Sequence, residues 1–221
     1  MWNSAVIGML VEGTFVTVFI TLVSTFFAYV LGLPLGIALV VTAKGGLKPN
    51  AVVYKVLDFI VNIVRSVPFL ILMIMLIPLT RFLVGKSYGV AATIVPLIAA
   101  AAPFVARMVE SSLLEVDPGV IEAAQSMGAG LWTIIWKVLL AEARTSLLIN
   151  ATIALGTILG YSAMAGAVGG GGLGSIAIQY GYNRYEEGIM FVTVILLVVL
   201  VQVMQAAGTK LSKKLDRRLT R

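Results

Sequence analysis

An all-α integral membrane protein with five transmembrane helices is the fold class this sequence predicts, on three observations. Of its 221 residues 60% are hydrophobic and only 12% charged, against roughly 25% charged in a soluble domain, and the mean hydropathy is +1.04. The apolar residues fall in runs that reach the roughly 20 needed to cross a bilayer core. Lys and Arg gather in alternate connections between those runs. A chain of this length holds about five or six passes and leaves no room for a soluble catalytic domain. It has neither Cys nor His, which removes disulfides, thiol nucleophiles, the usual zinc sites and any Ser-His pair. The net charge of +6 has a topological explanation in a membrane protein, so no nucleic-acid partner is implied.

The first span is placed at about 14–43, because Gly13 to Ala43 carries no charge and ends at Lys44-Gly45-Gly46 with Pro49 just beyond. Met1 to Thr14 lacks a basic segment and a small-residue cleavage site, so the span is expected to be retained. The second, about 56–80, carries Asp58, Asn62 and Arg65 on one helical face. These three either line a path or snorkel to the cytoplasmic interface, the second being favoured. Arg81 to Ser87 forms a short connection; Gly85-Lys86-Ser87 lacks the earlier glycine of a phosphate-binding loop. The third span, about 88–110, is rich in Ala, contains Pro96 and Pro103, and ends with Arg107 and Glu110 spaced for a local ion pair. After a polar segment at 111–141 comes a fourth span at about 145–167. The Gly169–Gly172 run behind it is expected to be a flexible external linker, with a part in gating as the alternative. The fifth span, about 188–208, leads into a basic tail, 209–221, whose Lys/Arg face and Leu ridge suit a membrane-surface helix.

Charge counting orients the chain. With the N-terminus outside, the inner segments hold Lys44, Lys48, Lys55, Arg107, Lys137, Arg144, Lys210, Lys213, Lys214, Arg217, Arg218 and Arg221. The outer ones hold Arg81, Lys86 and Arg184, and Arg65 lies within a span. Twelve against three predicts N-out, C-in, with 111–141 cytoplasmic. Within it Asp117 suits an N-cap, Pro118 the first helical position and Gly128 a left-handed C-terminal turn. The short helix so defined has small residues, Ala123 and Ala124, that expose backbone. It serves either for docking into a groove of another protein or as a connector resting on the membrane.

Glu122-Ala123-Ala124, three residues, Gly128, nine residues and Val138-Leu139-Leu140 resemble the signature loop, E-A-A-x3-G-x9-I-x-L-P, of type I ABC importer permeases. Val64 to Phe69, Ala102 to Glu110, Gly160 to Gly169 and Gln179 to Tyr182 are similar to the permeases of methionine importers, so that the likeness covers about Thr14 to Ala207. It implies a type I importer permease fold in one permease domain, in a bacterial cytoplasmic (inner) membrane. It also implies a homodimer working by alternating access, two ABC ATPase subunits and an external substrate-binding protein, with lipid around it. ATP and Mg would be bound by the partner ATPase, and the permease itself would hold no cofactor or metal and carry no catalytic residue. Asp117 and Glu122 to Ala124 would form the coupling helix, with Glu122 its polar anchor, and Gly128 would redirect the chain. Ala141 stands where the family has Pro, which leaves Leu131 to about Leu159 free to run as one helix.

Thr157, Gly160, Ser162, Met164 and Gly166 are candidates for the translocation path or gate, since a small-residue face with one flexible thioether can close and reopen; ordinary helix packing explains them equally. Methionine is the favoured cargo, with another amino acid or small solute as the alternative. A stand-alone channel or ion-coupled transporter would need intramembrane acids or a charge ladder not found here. An intramembrane enzyme would need a nucleophile–base or metal set that a chain without His and Cys lacks.

Overall fold

A computed structural model of the chain describes residues 3–215, leaving aside the side chains of Lys213 and Leu215. Among the described residues all regular structure is helical. Helix α1, Ser4–Thr42, starts where Asn3 Oδ1 accepts from Val6 N at 2.9 Å. The hydroxyls of Thr14, Thr17, Thr21 and Thr25 each donate to the carbonyl four residues back, which satisfies them without water. The helix closes in a turn with Gly45 at φ 87°, and Asn50 Oδ1 then caps α2, Ala51–Ser66, by accepting from Val52 N and Val53 N. The second predicted span is not one helix. Pro68 has no N–H and disfavours helical geometry at the residue before it, so α2 stops and α3, Phe69–Met75, begins anew. Leu76 separates α3 from α4, Ile77–Val84, which has Pro78 in its first turn and Gly85, φ 76°, at its end.

Helix α5, Val90–Leu114, and α6, Pro118–Ser126, are joined by Glu115 to Asp117. Beyond them a helical stretch runs through α7, Leu131–Thr133, a π-helical segment, Ile134–Leu139, and α8, Leu140–Glu142. A turn at Ala143, whose ψ of 0° departs from that of a regular helix, separates it from α9, Arg144–Ala165. The continuous helix that Ala141 allows is therefore not formed. A 3₁₀ turn, Gly166–Val168, leads to α10, Gly172–Ile176, and a second π segment, Ala177–Tyr182, before α11, Glu187–Leu215. Helix α11 continues unbroken through Lys210 into the basic tail; Arg217, Arg218 and Arg221 lie outside the described residues. By length and composition four helical runs can cross a membrane, Ser4–Thr42, Val90–Leu114, Arg144–Tyr182 and Glu187–Ser212. The broken pair α2 and α3 passes the same test when its two helices are taken together as one span, which brings the number to five.

The chain divides into two compact units. The first comprises residues up to Ala28, Val67–Ala101 and Leu155–Gln205, with a core of Leu10, Leu173, Ile176 and Ile189. Phe15, Phe19, Leu22 and Phe26 form an exposed stripe on its part of α1, spaced for one helical face. Such a stripe suits hydrocarbon, not water. The second comprises Tyr29–Ser66, Ala102–Ala154 and the residues from Ala206 on. Its core of Leu39, Val61 and Ala106 joins α1, α2 and α5. Gly32 and Gly36 bring α1 so close to α5 that a Cβ on Gly36 would sit 2.6 Å from the Ala106 carbonyl oxygen.

Candidate functional site: coupling loop and membrane path

In the second unit α6 is closed at both ends by local chemistry. Asp117 Oδ1 accepts from Gly119 N at 2.7 Å, satisfying a donor that the helix cannot. At the other end Gly128, φ 76°, donates to Gln125 O at 2.9 Å and Ala129 N to Ala124 O at 3.0 Å, the paired bonds of a left-handed helix stop. Glu122, Ala123 and Gln125 are exposed, and Glu122 forms no ion pair with any described residue. Ala124 differs from expectation, being 5% exposed. It packs within the protein because it lies on the face opposite Glu122 and Ala123, so it is not part of a docking surface. Val120, 42% exposed, is the large apolar side chain that α6 does present, and Met127, 80% exposed, follows directly behind its last turn. A cleft of about 310 Å³ runs beside α6, with Lys44, Leu114, Ile121, Glu122, Gln125 and Leu139 among its walls.

A charge cluster lies at the end of α5 next to this region. Arg107 Nη1 donates to Glu110 Oε2 at 2.6 Å, the predicted local pair. The other nitrogen, Nη2, pairs with Asp58 and donates to Asn62 Oδ1 at 2.9 Å. Asp58 and Asn62 therefore do not snorkel but tie α2 to α5, while Arg65 on the same helix is exposed. The far side of α5 has polar ties to α9: Asn150 Nδ2 donates to Ser112 Oγ at 2.8 Å and to Met108 O at 3.2 Å, and Ser146 Oγ donates to Ser112 Oγ at 3.2 Å. The ties of α5 to α2 and to α9 escaped prediction from sequence. The signal available for the first was the presence of an acid, an amide and a guanidinium inside adjacent spans, since intramembrane charges seek partners.

The path candidates, all in the first unit, separate into two sets. Ser162 is buried, its hydroxyl donating to Leu159 O at 2.8 Å. Gly166 is buried against the backbone of Gly174 and Ser175 with no space for a Cβ. Both are packing positions and line no path. Thr157, Gly160 and Met164 share the other face at i, i+3 and i+7, with Met164 54% exposed. Tyr161 stacks on Phe69 with centroids 4.7 Å apart and planes 5° from parallel, bringing together two of the segments quoted above.

Nor is the glycine run a flexible linker. Gly89 N donates to Gly169 O at 2.9 Å, Thr93 Oγ1 to Gly170 O at 3.2 Å and Leu173 N to Thr17 Oγ1 at 2.9 Å. Gly169, Gly171 and Gly172 have positive φ, and a Cβ on Gly170 would meet Thr93 Oγ1 at 2.7 Å. Glycine is needed there for conformation and for close approach, not for mobility.

Comparison with known proteins follows the same lines. Residues 32–217 match the family described as binding-protein-dependent transport system inner membrane component. The chain is 49% identical to the probable D-methionine transport system permease protein MetI of Vibrio cholerae serotype O1, over 98% of this chain and 96% of that protein. It is 44% identical to the protein of the same description from Haemophilus influenzae, over 96% and 99%. Among solved structures, the inward-facing MetNI methionine ABC transporter in its CY5 native crystal form matches with a TM-score of 0.96 and 49% identity, over 98% of this chain and 100% of that one. The chain belongs to the binding-protein-dependent transport system inner membrane components and has the fold of the type I ABC importer permeases.

Proposed function

We propose that this chain is the permease subunit of an ATP-driven methionine importer in the bacterial inner membrane. A second copy of it completes the translocation path, two ATPase subunits bind below and an external binding protein delivers the amino acid. The cargo rests on the identity to relatives named for D-methionine transport, and the ATPase and permease assembly on the likeness to the MetNI transporter. One observation carries the coupling role: a short helix capped at both ends holds Glu122 and Ala123 outward in the segment that the charge distribution makes cytoplasmic. Helix α6 docks in a cleft of the ATPase and passes its closure to the spans. Glu122 is the polar anchor, and Gly128 lets the chain turn back toward the membrane. Thr157, Gly160 and Met164 face the path, the flexible thioether serving as the closing element. ATP and Mg are held by the ATPase.

The test is methionine uptake by proteoliposomes holding the complex with ATPase and binding protein. Replacing Glu122 and Gly128 together by bulky residues is expected to abolish ATP-dependent uptake. Full transport by that variant, or uptake by this chain alone, would sink the proposal.

A further inference from the structure

We propose that Arg107 and Asn150 are positioning residues of the transport cycle, which make α5 the member through which a displacement of α6 reaches both α2 and α9. The inference rests on α6 being the docking helix. Helix α5 runs into α6 through Glu115, Val116 and Asp117 alone, and this link is held down by the buried Val116, whose N–H donates to Leu113 O at 3.3 Å. Motion of α6 is thus delivered to α5 through this link, as it is to the π segment Ile134–Leu139 against which α6 packs. On one side the Arg107 guanidinium engages Asp58 and Asn62 of α2 and Glu110 of its own helix. Apolar packing lets two helices slide, whereas a guanidinium fork between acceptors sets direction as well as distance. Separating it would strand charges that are largely shielded from water, the Arg107 side chain being only 16% exposed. On the other side the Asn150 amide bonds both a side chain and a backbone carbonyl of α5, which ties α9 to the α5 backbone itself. Helix α9 is the one that carries Thr157, Gly160 and Met164.

The experiment measures methionine uptake and ATP hydrolysis in the same proteoliposomes holding the full complex. Arg107→Met and Asn150→Leu are each expected to lower uptake per ATP hydrolysed by roughly 2- to 30-fold, with hydrolysis retained. The exchange Asp58→Arg with Arg107→Asp restores the pair in reverse and is expected to recover the ratio. Should Arg107→Met fail to assemble, Arg107→Lys keeps the charge without the fork, and a lowered ratio supports the proposal while a wild-type ratio overturns it. An unchanged ratio in the single variants, or an exchange no better than Arg107→Met, likewise overturns it. A wild-type complex whose uptake does not depend on ATP removes the importer function and this inference together. A coupled wild type with indifferent variants removes the inference alone.

Discussion

At Gly36 a single methyl group decides whether α1 can lie on α5. A Cβ there meets the Ala106 carbonyl oxygen at 2.6 Å and the Val109 side chain at 2.7 Å. Gly36→Val is therefore expected to lower stability by about 1–3 kcal/mol, the usual cost of overpacking. Gly8, exposed in the same helix with nothing within 4 Å of its notional Cβ, should behave oppositely. Gly8→Ala removes chain entropy from the unfolded state and is expected to gain about 0.5–1 kcal/mol. Melting of the purified protein in detergent checks both, and equal shifts for the two would contradict the packing argument. Asp117→Ala deletes one acceptor at the start of α6 and should weaken that helix by about 0.5–2 kcal/mol. Faster amide exchange confined to Gly119–Ser126 is the expected sign.

Among elements, the stretch from Leu131 to Arg144 departs most from expectation. The chain leaves α register in the π segment and turns at Ala143, where ψ rises to 0°, so the interruption that the proline of the family signature implies is present here without it. A proline at 141 should then cost well under the ~3 kcal/mol it costs inside a regular helix. Ala151→Pro, within α9, should cost the full amount, and membrane yield and melting temperature compare the two. Element ends set by local chemistry were legible beforehand: Asp117 and Gly128 act within one turn of themselves, so three or four residues suffice to place them. The tie between α2 and α5 was not, because Asp58 and Arg107 are 49 positions apart and either alone is compatible with snorkelling. Hydropathy likewise ran across Pro68, where apolar side chains continue but the backbone bond does not. The glycine run read as a linker because composition does not report what backbone is packed against.

For the whole molecule, the alternation of apolar runs and basic connections was enough for the fold class, since lipid permits few other solutions than bundled helices. The same alternation predicts orientation. The sequence contains no Cys, so single cysteines report cleanly on exposure. Lys86→Cys should react with a membrane-impermeant maleimide in intact cells, and Gln125→Cys, expressed without the partner ATPase, only after permeabilisation. The reverse pattern would invert the topology and place α6 on the wrong side for an ATPase.

The π segment also bears on how the chain can change length. A wide turn accommodates one residue more than an α turn, so deleting one residue between Ile134 and Leu139 can return the segment to α geometry and leave its flanks in phase. The same deletion in α5 has no wide turn to absorb it and would rotate everything beyond it by about 100°. Arg107 would swing off Asp58 and Asn62, and Ser112 off Asn150. Insertions and deletions among related chains should therefore collect between α6 and α9 and be absent from α5.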